Sequence, residues 1–460
     1  MNAGKLNNLK EMSMPYISNT DKERQEMLRE IGVSSFEELL QPIPEKLRLK
    51  EELKMDEPLS ELEILRKVNR LANKNTCSFG ANSFLGGGVY DHFIPAAVDS
   101  VIAKPDFFTA YTPYQAEVSQ GTLQYIYEYQ SMICNLTGME VANASMYDGA
   151  SAIAEAILMA VRKTKLNKAV LAGTIHPNFK DVIKCYTEGI GVELVYTSEK
   201  NGLTDLEALK TAVDASTACV ILQTPNFYGN IEDAFAIEEI VHAQPKVMFI
   251  VCVDPISLAI LNSPAEYKAD VVVGEGQALG NSVSYGGPLF GFFATNSVKN
   301  ARTMPGRIVG GTLDSDGKKA FCLTLQAREQ HIKRERATSN ICSNESLCVL
   351  AATVYMSVMG KEGLKEVAIQ SSTKAHYLAD SITALNGFSL ANPETPFFKE
   401  FVVNTPVPAE KIVSELAQHD IYAGISLAMC GMPNQLLIAV TEKKSKADMD
   451  AFVKALAEVK

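Results

Sequence analysis

The chain has 460 residues, 47% of them hydrophobic and 21% charged, with a formal net charge of −11 at pH 7. That length accommodates one large domain with a smaller companion, and the balance is that of a folded globular chain rather than a disordered one. The acidic surplus excludes nucleic acid as a principal partner, because a phosphate backbone is recognised by clustered cations.

Nine cysteines, none paired as CxxC, and six histidines without metal-ligand spacing read as reduced thiols and no metal site. The opening residues, Met1-Asn2-Ala3-Gly4-Lys5-Leu6, lack the apolar core of a signal peptide and the arginine-rich character of a transit sequence. No run of eighteen apolar residues occurs, so neither a transmembrane helix nor a membrane partner is expected. The expected compartment is the cytoplasm.

Residues 1–60 form a polar, helix-prone arm. A short amphipathic helix over Asp21–Gly32 is followed by another from Ser34-Ser35, closed by Pro42 and Pro44. This arm has little apolar material for a core of its own. From 61 to 305 the pattern alternates. Helices are expected at 61–74, 119–138, 149–164, 178–188, 205–213 and 233–243. Apolar strands are expected at 168–172, 192–196, 218–223, 247–253, 270–273 and 289–294. Such alternation is the signature of a mostly parallel sheet covered on both faces, a large α/β domain. Residues 306–460 read as a small α+β domain. A turn at Asp314-Ser315-Asp316-Gly317 joins two strands, and long helices are expected at 325–337, 344–359 and 362–385. Strands at 399–403 and 435–440 and helices at 408–418 and 445–459 complete it.

Several motifs stand out against this background. Leu85-Gly86-Gly87-Gly88-Val89-Tyr90-Asp91-His92 offers permissive dihedrals and exposed N–H groups, suited either to an anion site or to a plain turn. Phe107 to Gly121 interleaves aromatic and polar side chains around Pro113. Within it Tyr111 and Tyr114 offer π faces and hydroxyls to a planar ligand, or simply fill a buried loop. Gly274-Glu275-Gly276-Gln277-Ala278-Leu279-Gly280 follows a strand but opens no clear helix, so it is not a dinucleotide fingerprint. Arg328 to Arg336 is a basic helical run, either a solvated face or a dock for an acidic partner.

The most informative stretch lies further back. The apolar run Val247–Val253 ends on Asp254-Pro255, and a second strand leads into the glycine-rich loop 274–280. This is the layout of fold-type-I pyridoxal-phosphate (PLP) enzymes, in which an aspartate pairs with the pyridinium nitrogen and the next loop carries a Schiff-base lysine. Here the aspartate is present, but residues 269–298 contain no lysine or arginine. Without a primary amine no imine forms. Asp148, ahead of the small-residue helix from Gly149, points the same way, because a carboxylate cap opposes a phosphate at that helix end.

Ordered segments through most of the chain carry a family resemblance. They include FLGGGV from Phe84, TAYTPYQAEVSQG from Thr109, EYQSM from Glu128 and ANASMYDGASA from Ala142. QTPNF from Gln223, DPISL from Asp254, GGPLFGFF from Gly286, LQAREQ from Leu325 and SNIC from Ser339 follow. Together they resemble the alpha-subunit family of two-subunit glycine dehydrogenase (decarboxylating), the P-protein of the glycine cleavage system. Residues 1–13 depart from the usual start, which resembles Met14-Pro15-Tyr16-Ile17, and are either an extension or an upstream initiation.

The resemblance implies a PLP-dependent transferase fold of type I, with PLP and its lysine on a partner beta subunit in an alpha2beta2 assembly. It implies decarboxylation of glycine, release of CO2 and transfer of the aminomethyl group to the lipoyl arm of H-protein, with no activity from the lone chain. It further implies that Tyr111, Thr112, Tyr114 and Gln115 are lent to a cleft shared with the partner. Two other readings stand beside it: an inert scaffold subunit of the same complex, and an independent PLP enzyme using another lysine.

Overall fold

The computed structural model of the chain describes residues 18–51, 53–75 and 82–459; the segment 1–13 lies outside them. The chain divides into two compact units, Met1–Asn75 and Thr76–Lys460.

In the first unit the helix Asp21–Ile31 is closed at both ends by its own sequence. The Thr20 hydroxyl and the Glu23 carboxylate form a reciprocal capping box, and Gly32 takes the left-handed conformation at the other end. A second capping box, Ser60 with Glu63, opens the helix Glu61–Ala72. Leu28 is the one buried apolar side chain among the described residues of this unit, while Leu62, Leu65, Val68 and Leu71 are exposed. The unit therefore has little core of its own.

The second unit is built on a seven-stranded sheet of β1 (Val141–Ala142), β2 (Lys168–Leu171), β3 (Glu193–Tyr196), β4 (Thr217–Thr224), β5 (Met248–Val253), β6 (Val271–Glu275) and β7 (Gly291–Thr295). Their order is β1-β7-β6-β5-β4-β2-β3. The run from β6 to β3 is parallel, and β7 and β1 close the edge antiparallel. All six sequence-expected strands of this domain are present. β2, β5 and β7 are buried throughout, which is why they read as continuous apolar runs rather than alternating ones. Helices α1 (Gln120–Thr137) and α2 (Gly149–Thr164) follow the expected bounds closely. The parallel strands end together, so Asp254 after β5 and Glu275 closing β6 reach the same rim, where open α/β sheets bind ligands.

A second, antiparallel sheet joins Ser389–Leu390, Glu400–Asn404, Gln435–Ala439 and Ile425–Ser426. It has its own apolar cluster, which includes Phe401, Ile438 and Phe452. Phe84, from the segment leading into the glycine loop, enters this cluster and stacks on Phe452 with ring centroids 4.2 Å apart.

Three expectations need correction. The helices expected at 344–359 and 362–385 are one element, α3 (Ser346–Thr383), broken only by a non-helical Gly360. By length and composition α3 could cross a membrane, so hydropathy alone excludes less than the sequence suggested. Half of its apolar window is buried within the chain, as befits a core helix. The long helix expected at 325–337 is instead three short turns, Gln326–Arg328, Gln330–Lys333 and Arg334–Arg336. Consecutive helical positions point about 100° apart, yet Arg328 and Glu329 are both buried. The chain breaks at left-handed Leu325 and at Arg334 to bring both side chains in. The basic run is therefore not a uniformly solvated face.

Gly229 (φ +84°), in the loop after β4, packs tightly on the strand Glu400–Asn404: a Cβ there would lie 1.8 Å from the Glu400 carbonyl oxygen. Gly229→Ala is expected to cost about 2–3 kcal/mol in urea unfolding through strain and overlap. Alanine at Gly317, which has a similar φ but open surroundings, should cost only about 1–2 kcal/mol. Equal losses would show that the Glu400 strand yields freely.

Candidate active site

At the rim, Asp254 does not face an empty cleft. Lys399, one residue ahead of the strand Glu400–Asn404, places its Nζ 2.6 Å from Asp254 Oδ2, and its side chain is 2% exposed. The ammonium also donates to His92 Nε2 at 2.9 Å and lies 3.7 Å from the centre of the Tyr90 ring. His92 in turn donates from Nδ1 to Glu442 Oε2 at 2.6 Å, a bond that fixes its tautomer. Burial, reinforced by the neighbouring Lys399, lowers the His92 pKa, in keeping with a neutral ring that accepts from the ammonium.

Glu400 completes this network. Its Oε1 accepts the Gly87 N–H at 2.7 Å and its Oε2 accepts from the Tyr90 hydroxyl at 2.8 Å. The glycine loop does hold an acidic group, but that group is the chain's own Glu400 side chain. Burial pushes the Glu400 carboxyl up to about 7 despite these bonds. His176 fixes the other side of the loop, donating from Nε2 to the Gly87 carbonyl at 2.9 Å.

The start of α2 is closed in a similar way. Asp148 Oδ1 accepts the Ser151 N–H at 2.7 Å as the cap. Glu275 Oε2 takes the Gly149 N–H at 3.0 Å, while Oε1 accepts from Gln277 and Phe290. The amide a phosphate would use at this helix end is already bonded, whatever the protonation of Glu275. In the glycine-rich loop Gln277 is buried and spans Tyr90 and Asn281, with no amine in its place.

These residues do not fit PLP. Asp254, which would meet the pyridinium nitrogen, already has an ammonium on it. The same ammonium cannot also form the imine, because the ring nitrogen and the aldehyde carbon lie at opposite ends of the ring. The space left between Tyr90, Asp254, Glu275 and Lys399 is about 40 Å³, far below the roughly 300 Å³ or more of small-molecule sites.

A separate cleft of about 580 Å³ is lined by Asp106, Tyr111, Thr112, Tyr114, Gln115, Val118 and their neighbours. It brings together all four site residues read from the sequence. Tyr111 is 79% exposed, Tyr114 is 49% exposed, and Gln115 is exposed at the start of the short turn Ala116–Val118. Buried Arg307 holds the loop from beneath, donating from Nη2 to the Tyr114 hydroxyl at 2.9 Å and from Nη1 to Thr112 Oγ1 at 3.3 Å. Sequence reading missed Arg307 and Lys399. A signal for Lys399 exists in Phe397-Phe398-Lys399-Glu400-Phe401, where two charges sit in an apolar strand pattern. Arg307 carries no comparable mark.

The sheet order and the aspartate ending β5 define the fold-type-I class of PLP-dependent enzymes. A solved NifS-like protein shares that fold, with a TM-score of 0.62 at 15% identity, over 82% of this chain and 99% of its own. Within the class, the family model for the glycine cleavage system P-protein matches residues 14–456, and the chain belongs to that family. It is 51% identical over 446 residues to probable glycine dehydrogenase (decarboxylating) subunit 1 of Chloroherpeton thalassium, covering 97% of this chain and all of that protein. The protein of the same name from Chlorobaculum parvum is 52% identical over 447 residues, again covering 97% of this chain and 100% of the relative. A crystal structure of glycine decarboxylase (P-protein) of the glycine cleavage system, in inhibitor-bound form, superposes with a TM-score of 0.89 at 39% identity, over 97% of this chain and 100% of that one.

Lys399→Met should leave Asp254 with a buried, unpaired charge and cost roughly 3 kcal/mol or more in chemical denaturation. The double variant Asp254→Asn/Lys399→Met should recover most of that loss. Recovery of none would mean that the pair does not act as a unit. Glu275 gives a pH signature, because burial raises its carboxyl from the ordinary 4.5 to about 8, with Asp148 adding to the shift. Its contribution is intact below pH 4.5 and is lost as pH rises through about 8, since the folded chain holds a proton the unfolded chain has released. Glu275→Gln should therefore flatten the fall in Tm between about pH 5 and 8. An unchanged slope would assign that fall to other groups.

Proposed function

We propose that this chain is the cofactor-free alpha subunit of a two-subunit glycine decarboxylase of the glycine cleavage system. In this reading a beta subunit supplies PLP on its own lysine, in an alpha2beta2 assembly located in the cytoplasm. The complex decarboxylates glycine, releases CO2 and passes the aminomethyl group to the lipoyl arm of H-protein. Membership of the P-protein family supports glycine as substrate. Relatives matched over their whole length are named subunit 1, which supports a partner subunit. Eight free cysteines among the described residues suit a reducing compartment.

The observation that carries the division of labour is the ion pair between Lys399 and Asp254. A subunit whose cofactor aspartate is neutralised from within has that chemistry done elsewhere. What it contributes to the shared cleft is the Tyr111–Gln115 loop, whose aromatic faces and hydroxyls are exposed on a rigid support. The closed cleft weighs against the reading of an independent PLP enzyme. An inert scaffold remains the second reading, and it has no need of exposed, oriented tyrosines.

Co-expression with the adjoining beta-like chain should give PLP content and CO2 release from glycine that neither chain shows alone. Absorbance near 420 nm from the lone chain would overturn the assignment. In the assembled complex, Tyr111→Phe/Tyr114→Phe should slow glycine–bicarbonate exchange by about tenfold or more. Unchanged exchange would favour the scaffold.

A further inference from the structure

Beneath the Tyr111–Gln115 loop the charges do not balance. Arg307 and Arg328 are both buried, 3% and 8% exposed, beside a single buried carboxylate, Glu329. Glu329 Oε2 meets Arg307 Nε at 3.5 Å and His331 Nδ1 at 3.6 Å. Arg328 spends Nη1 on the Met304 carbonyl, and its Nε and Nη2 have no hydrogen-bond partner among the described residues. Two guanidinium groups against one carboxylate leave about one positive charge in a low-dielectric setting, where it reaches further than in water.

That charge is relayed outward through hydroxyls. Arg307 donates to Ser343 Oγ at 3.0 Å, to Tyr114 at 2.9 Å and to Thr112 at 3.3 Å, and its guanidinium carbon lies 5.2 Å from the Tyr114 ring centre. A hydroxyl that accepts from a cation is polarised and becomes a stronger donor of its own proton. Thr112 Oγ1 and Ser343 Oγ lie 3.4 Å apart, within hydrogen-bond reach of each other, and Ser343 Oγ also donates to the Asn344 carbonyl at 3.5 Å, so Ser343 braces Thr112 from behind. Thr112 and Tyr114 line the 580 Å³ cleft, with Asp106 as its carboxylate on the same wall. Two cleft-lining hydroxyls backed by one buried guanidinium have the chemistry of an oxyanion receptor.

We propose that Arg307, acting through Thr112 and Tyr114 with Ser343 bracing Thr112, builds an oxyanion subsite that this chain contributes to the cleft it shares with its partner. The proposal rests on the two-subunit reading above and names what the loop recognises: a carboxylate or phosphate oxygen. Arg307 is a positioning residue, because it acts through the hydroxyls. Two sources carry that chemistry, the carboxylate of glycine and the phosphate of the partner's cofactor.

The test uses the assembled two-subunit complex, with glycine KM read by bicarbonate exchange and PLP affinity by titration of the apo complex. Thr112→Val/Tyr114→Phe/Ser343→Ala removes the hydroxyls without taking away the guanidinium. It should weaken one constant about tenfold to a hundredfold and leave the other within about twofold. A rise in glycine KM identifies the carboxylate, and a loss of PLP affinity identifies the phosphate. Arg307→Gln should weaken the same constant, and Arg307→Lys should restore part of it by returning the charge without the fork. If the triple variant assembles with both constants unchanged, or alters Tm alone, the subsite is overturned while the two-subunit reading stands. A wild-type assembly without exchange activity would overturn both.

Discussion

The organisation of the larger unit depends on one buried ion pair. Asp254 ends a central strand of the parallel sheet, and Lys399 precedes a strand of the antiparallel sheet. Their contact joins the two layers at the rim where a ligand would otherwise lie. The pair does not stand alone, because removing two charges from water is offset only when each finds further partners. Lys399 finds His92 and the Tyr90 face, and His92 finds Glu442. Glu400, next in sequence, takes up the glycine loop. A cofactor site has in effect been rebuilt from the chain's own side chains, with an ammonium in place of the pyridinium and Glu400 in place of an external anion.

The two clefts are therefore opposites. One is sealed and satisfied, with little free space. The other is open and walled by exposed tyrosines, with buried Arg307 bonded to Thr112 and Tyr114 from behind. In the proposed two-subunit reading, a chain whose aspartate is paired from within keeps its scaffold rigid and presents selected groups to a neighbour. Rigidity matters because an oriented hydroxyl is effective only when its support does not reorganise during use.

Much of the architecture was legible in the chain. Continuous apolar runs marked the buried strands, and the alternation of strands with helices marked the parallel sheet. The failures share a physical cause. The turns around Arg328 and Glu329 were read as a helix because local propensity and charge pattern favour one, whereas tertiary demand draws both side chains inward. Lys399 and Arg307 escaped notice because their roles depend on partners some 150 and 200 positions away in sequence. No local period encodes such contacts. The tyrosine loop was found because aromatic and polar residues alternating around a proline are unusual even locally, but the arginine that aims it was not.

The helix α3 (Ser346–Thr383) is shared between two apolar cores. As far as Ala368 the helix lies in the apolar core of the parallel sheet, and from Ala375 onward it packs into the cluster around Phe401 and Phe452. A covalent rod shared in this way leaves neither layer free to melt by itself, since loss of one exposes the greasy flank of the segment that the other needs. Heat or urea should accordingly meet these residues as one cooperative block rather than as two domains on a hinge.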